Sequence, residues 1–164
     1  MISDNVCEVN GTNSDSLLDS GACVCVAPKD FAKHTELVKM TTEPELYSAT
    51  GKRLRVYGER LFPFLVKTVD ERSLAVRVLF VVADVRRPLI SVASLTDQGF
   101  EVNFVCLSSI TNKESGTEVI MERRGNGFFL PAVLQTVTSD KVLHHRAGQL
   151  GDLELDRAPR CVRV

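Results

Sequence analysis

Leu17-Leu18-Asp19-Ser20-Gly21-Ala22 decides how the rest of the chain is read. Two leucines lead a lone acid out of an apolar strand. The serine, glycine and alanine after it are small enough for a tight loop. A buried catalytic carboxylate on such a loop has this appearance. Asp, Ser and Gly are also common turn formers, so by itself the tetrad reads as an ordinary turn. Its neighbours have to decide between the two.

On the N-terminal side the chain is polar, and Asn10-Gly11 and Asn13-Ser14-Asp15-Ser16 are turn signals. Residues 1–14 are assigned to a polar segment, with a short strand over Cys7–Val9. On the C-terminal side Cys23-Val24-Cys25-Val26 resumes the strand until Pro28, which has no donor for a ladder. Both cysteines would then share one face as small apolar filling. Lys29–Met40 reads as one helical turn or an irregular excursion held by Phe31 and Leu37, with His34 at the surface. Leu46–Gly58 reads as a hairpin with Ala49-Thr50-Gly51 at its tip, where glycine allows positive φ.

Further along, Leu61–Val66 is an apolar strand with Pro63 marking an edge or bulge. Leu74, Val76, Val78, Phe80 and Val82 alternate as a half-buried strand. Arg86-Arg87 reads as a solvated loop. Leu89–Gly99 predicts a short helix with Ser91 as N-cap and Gly99 as its stop. Phe100, Val102 and Phe104 are expected to face inward on the next strand. After a polar stretch from Ser108 to Gly116 come Val119-Ile120-Met121, a turn at Gly125-Asn126-Gly127, and a last strand at Phe128–Pro131. Residues 136–164 have no periodicity and read as a linker or tail.

The totals narrow the classes. At 164 residues, one domain can bury a core without staples. The 20 basic and 21 acidic residues nearly cancel, which encodes no general attraction to nucleic acid or membrane. The five cysteines are scattered, with no metal-like spacing, so no metal or cofactor is assigned. No apolar run is long enough to cross a bilayer and the start lacks the order of a signal peptide, so a soluble cytoplasmic protein is expected.

Taken in order, the Asp-Ser-Gly-Ala loop, the Ala49-Thr50-Gly51 hairpin, the alternating strand, Leu89-Ile90-Ser91-Val92 and Gly99-Phe100-Glu101-Val102-Asn103-Phe104 form a pattern. Over residues 15–135 it resembles a retropepsin-like aspartic protease, and more closely the protease region of copia-type retrotransposon polyproteins. Leu143–Gly148 is similar to a histidine-bearing stretch that follows the protease there, without its last histidine. Many retropepsins have a glycine where this chain has Ser91, a departure that bears on the packing beneath the site.

The resemblance implies an all-β fold: a closed β-barrel with one short C-terminal helix, assembled as a two-fold homodimer. One Asp-Ser-Gly loop per chain supplies one carboxylate, so Asp19 of each protomer would meet at the axis. The pair would hold one proton and activate a water against the scissile peptide bond. Ser20 would hydrogen-bond across the axis, Gly21 would permit the turn, and Ala22 would leave room for substrate. Ala49, Thr50 and Gly51 would form a flap over an extended peptide or polyprotein. The location implied is cytoplasmic, including retroelement particles. The competing reading is a catalytically silent, retroelement-derived dimerisation or peptide-binding domain.

Overall fold

β1 (Gly11–Asp19) ends on the candidate acid and is paired along both edges. One edge runs antiparallel to β12 (Gly127–Gln135), from Gly11 opposite Gln135 to Leu18 opposite Phe128. The other edge, at Leu17–Asp19, runs parallel to β7 (Leu89–Ser91). From β7 the sheet continues through β2 (Val26–Ala27), β6 (Ser73–Ala83) and β5 (Val56–Lys67), and β5 returns to β12. The sheet therefore closes into a ring. The computed structural model describes residues 11–105, 107–135 and 161–163, so the expected strand over Cys7–Val9 and the Leu143–Gly148 stretch lie outside the described residues.

Alternation builds the inside of this ring. On β5, Phe62, Phe64 and Val66 are buried while Leu61 and Lys67 are exposed; on β6, Val76, Val78 and Phe80 are buried. Phe62 and Phe80 meet edge to face at 4.9 Å, and the half-buried Phe31 lies 5.0 Å from Phe62. Each such ring contributes about 1.5–3 kcal/mol through burial. Arg60 shares the inner face of β5 and donates to the carbonyls of Lys29 (3.1 Å) and Phe31 (2.9 Å). Those bonds tie the 28–35 excursion to the ring. That excursion is a run of turns, and Phe31 is its main contact with the core.

The end of β6 is buried on both faces. Val81 and Ala83 join Val24, Val26 and the fully buried Leu46 in a second, smaller core. Leu46 belongs to β3 (Glu45–Tyr47), which pairs with β4 (Arg53–Leu54); β13 (Cys161–Arg163) runs parallel to β3. A third sheet contains β8 (Phe100–Asn103), β9 (Ser109–Asn112) and β10 (Glu118–Ile120). β11 (Glu122–Arg124) shares one edge of β12 with β5.

The single described helix, α1 (Val92–Asp97), starts where the capping signal placed it. The Ser91 hydroxyl accepts from the Ser94 N–H at 3.0 Å, and Gly99 follows with φ +83°. It is not the last element of the fold, because β8 to β12 follow it and β12 closes the ring.

Several local expectations are corrected. Cys23 is exposed and Cys25 buried, because residues 22–25 bend and the strand begins only at Val26. Pro63 does mark an edge: β5 runs through it in register with β6, while the β12 pairing stops at Phe64, next to the residue that has no N–H to give. Phe104 lies beyond the end of β8 and is exposed, packing on Phe128 at 4.7 Å. The polar Ser109–Asn112 stretch forms β9, and β12 extends past Pro131 to Gln135. β1 takes in residues 11–14, which the polarity pattern places in the N-terminal segment.

Gly58 sets the bend of β5. The register with β6 shifts between Val56 and Gly58, and Gly58 holds φ +145°. A Cβ there would sit 2.4 Å from the Val38 carbonyl oxygen. The close approach allows Val38 and Glu59 to exchange two backbone hydrogen bonds of 2.9 Å.

Candidate active site

Asp19 is the last residue of β1, at the point where the strand is held from both sides. Leu17 and Leu18 face Phe129 and Phe128 of β12 and Leu89 and Ile90 of β7, and Asp19 itself stands opposite Ser91. The backbone N–H of Leu17 also donates to the Pro88 carbonyl at 3.1 Å. Pairing along both edges up to Leu18, and with Ser91 at Asp19 itself, fixes this strand end more firmly than a free loop would.

The chain then turns sharply. Asp19 Oδ1 accepts the Gly21 N–H at 2.8 Å, the short side-chain-to-backbone bond of an Asx-type turn. A Cβ on Gly21 would lie 3.3 Å from that same oxygen, so the glycine keeps the carboxylate undisturbed. Asp19 is half-buried. Ser20 is exposed, and among the described residues its hydroxyl has no hydrogen-bond partner.

Ala22 is placed differently from its neighbours. Its side chain is buried and does not face the cleft. The Ala22 carbonyl accepts the Ser91 hydroxyl at 2.6 Å, and the Ser94 hydroxyl donates to the Cys23 carbonyl at 3.0 Å. Ser91 therefore joins the loop after Asp19 to the start of α1 with one oxygen that both donates and accepts. Its N–H points to Cys25 Sγ at 3.4 Å. Burial pushes the Cys25 thiol up to about 11, only partly opposed by that N–H.

A cleft of about 750 Å³ opens at Asp19 and Ser20. Leu17, Phe104, Phe128 and Phe129 give it apolar walls, and Arg87 and Arg124 also line it. Arg124 bonds Asp15 of β1 and Glu122 of β11, and these two carboxylates hold its guanidinium more firmly protonated than usual, Asp15 more than Glu122. It lies over the Phe129 ring at 5.4 Å, and Arg123 lies over Phe128 at 5.8 Å. The pairing of β1 with β12 brings these groups to Asp19 from more than a hundred residues downstream.

The hairpin tip stands apart from that lining. Ala49, Thr50 and Gly51 are exposed, and Gly51 has φ +80°. Ser48 braces the turn: its N–H donates to Lys52 O at 2.8 Å, its carbonyl accepts from Gly51, and its hydroxyl bonds Thr50 Oγ1 and Lys52 N. The root is anchored by buried Leu46.

Sequence reading marked Asp19 to Ala22 and the hairpin tip but assigned no role in the site to Arg87, Phe104 or Arg124. Arg87 reads in the sequence as part of a solvated loop, and only the pairing of β7 with β1 brings it to the cleft. Among the described residues, no group of three His, Cys, Asp or Glu side chains is gathered, and His34 is exposed. No described helix is long and apolar enough to cross a membrane. Compared with family models, curated proteins and solved structures, the chain matches none.

Proposed function

We propose that the chain is a retropepsin-like aspartic endopeptidase of retrotransposon type, working as a two-fold homodimer in which each protomer contributes Asp19. The observation that carries this reading is the placement of Asp19. The strand that ends on it is clamped at Leu17 and Leu18 between antiparallel β12 and parallel β7, and Asp19 itself stands opposite Ser91, accepts the Gly21 N–H and lines a cleft of about 750 Å³.

One carboxylate alone cannot divide the acid and base roles of water-mediated peptide hydrolysis. Two facing Asp19 side chains can, because like charges at short range share a single proton. The ionised member takes a proton from the attacking water, and the protonated member hydrogen-bonds the scissile carbonyl. The tetrahedral intermediate then collapses as a proton passes to the leaving amine, and no covalent adduct to the protein forms.

Ser20 is exposed beside Asp19 with a free hydroxyl, suited to bond the partner's loop across the axis. Phe104 at the cleft, and Val105 and Leu107 after it in the chain, are exposed and would give the second protomer apolar surface to cover. The braced tip at Ala49-Thr50-Gly51 would close over an extended peptide and exclude water.

The test is cleavage of a mixed peptide library at mildly acidic pH, with and without a transition-state-mimicking aspartic protease inhibitor. Inhibitor-sensitive cleavage that disappears in Asp19→Asn is the expected result. Cleavage that persists in that variant refutes the mechanism. A folded dimer that binds peptides but cleaves none points instead to a silent peptide-binding domain.

A further inference from the structure

We infer that the cleft selects peptides bearing an acidic side chain close to the scissile bond, and that Arg87 is the residue that reads it. This specificity rests on the proteolytic reading above and adds a substrate class to it.

The cleft holds two guanidinium groups in different states. Arg124 is already bonded to Asp15 and Glu122. Arg87 is exposed, and among the described residues it has neither an ion pair nor a hydrogen bond. Nearby Asp84 accepts from the Tyr57 hydroxyl at 2.7 Å and, among the described residues, forms no ion pair with Arg87. The cleft therefore presents one guanidinium that has no ion pair among the described residues, beside the apolar side chains of Leu17, Phe104, Phe128 and Phe129.

Its backbone is held in place. Arg87 precedes buried Pro88, which restricts Arg87 to extended conformations, and the Pro88 carbonyl is bonded to Leu17 N–H at 3.1 Å. The guanidinium thus projects from a fixed point two residues before Leu89, where β7 begins its pairing with β1, and it lines the same cleft as Asp19. A guanidinium fork matches a carboxylate with two parallel bonds, a geometry that a lysine lacks. In a two-fold dimer the same arrangement occurs on both sides of the axis.

The test uses short dye-labelled peptides with a central Leu-Phe pair and Glu, Gln or Lys placed at flanking positions. Binding is read by fluorescence anisotropy in Asp19→Asn, and cleavage of the same peptides is read in the wild-type chain. At the preferred position Glu should bind about fivefold tighter than Gln at low salt, with the gap shrinking near about 1 M salt. Adding Arg87→Gln should bring the ratio close to one, Arg87→Glu should reverse it toward Lys, and Arg86→Gln should leave it intact. A Glu preference that survives Arg87→Gln, or equal binding of all three peptides, overturns the inference. Wild-type cleavage with no Glu preference overturns it while leaving the protease reading standing. Arg87-dependent binding without cleavage supports it and refutes the protease reading instead.

Discussion

Replacing Ser91 by alanine removes one oxygen that performs two tasks at a fully buried position. The hydroxyl caps α1 by accepting from Ser94 N–H at 3.0 Å, and it donates to the Ala22 carbonyl at 2.6 Å. Loss of an N-cap side chain costs about 1 kcal/mol. A buried carbonyl left without its donor costs about 1–3 kcal/mol more. The sum is about 2–4 kcal/mol, or a fall in Tm of roughly 5–15 °C for a chain of this size. Urea unfolding followed by circular dichroism measures it, and the slope with urea should not change. Ser94→Ala is the internal contrast, because its hydroxyl bonds Cys23 O at an exposed position and should cost less than about 0.5 kcal/mol. A Ser91→Ala variant within about 0.5 kcal/mol of wild type would refute the view that Ser91 locks the loop after Asp19.

Gly58→Ala should destabilise the chain by about 2–3 kcal/mol, through positive-φ strain and collision with the Val38 carbonyl, and thermal unfolding will show it. A neutral Gly58→Ala would contradict the bend assigned to β5. Cys25 predicts an alkaline loss of stability. Its thiol is raised from 9.0 to about 11 in the folded chain, so the unfolded state releases its proton first and gains stability as pH rises from 9 to 11. The loss approaches about 3 kcal/mol at the upper end, and Cys25→Ala should flatten that part of the pH–stability profile. In the folded protein at neutral pH, exposed Cys23 should react with iodoacetamide well before Cys25, which peptide mapping would resolve.

The parts of the fold that were legible carry local signatures. Strict alternation in Leu74–Val82 announced β6, a serine before Val92 and a glycine at 99 bracketed α1, and Gly51 marked the hairpin turn. β1 was harder to see. Gly11–Ser16 has turn-forming composition, yet Ser14 and Ser16 alternate with Asp15 and bury their small side chains opposite Ala132 and Leu130. Among the described residues neither buried hydroxyl has a partner. Serines do not register in a hydrophobic pattern, and only the long β12 partner makes them a strand. β9 was hidden for the same reason, since Ser109 and Ile110 are buried within a polar run.

The candidate site divides along the same line. Asp19, Ser20 and Gly21 are contiguous, and their chemistry can be read from their order. The cleft walls are assembled from the β6–β7 loop, the end of β8 and the β11–β12 hairpin, and pairing over long sequence separation places them. Phe104 illustrates the limit. Period-two alternation puts it inside, but β8 ends at Asn103 and frees it to turn toward Phe128. Ser91 was legible as a cap, while its bond to Ala22 depended on β1 and β7 lying side by side.

Subunit mixing tests the proposal of a shared Asp19 site most directly. Wild-type chain is held at a fixed concentration and equilibrated with increasing Asp19→Asn chain, and initial cleavage rates are measured while sedimentation follows the assembly. If two Asp19 residues form one site, the rate falls as wild-type protomers are drawn into mixed dimers, tracking the fraction of wild-type pairs. Dilution of wild type alone should lower specific activity as dimers dissociate. Cleavage proportional to the wild-type chain present, unaffected by excess Asp19→Asn protomer and by dilution to monomer, would contradict the account.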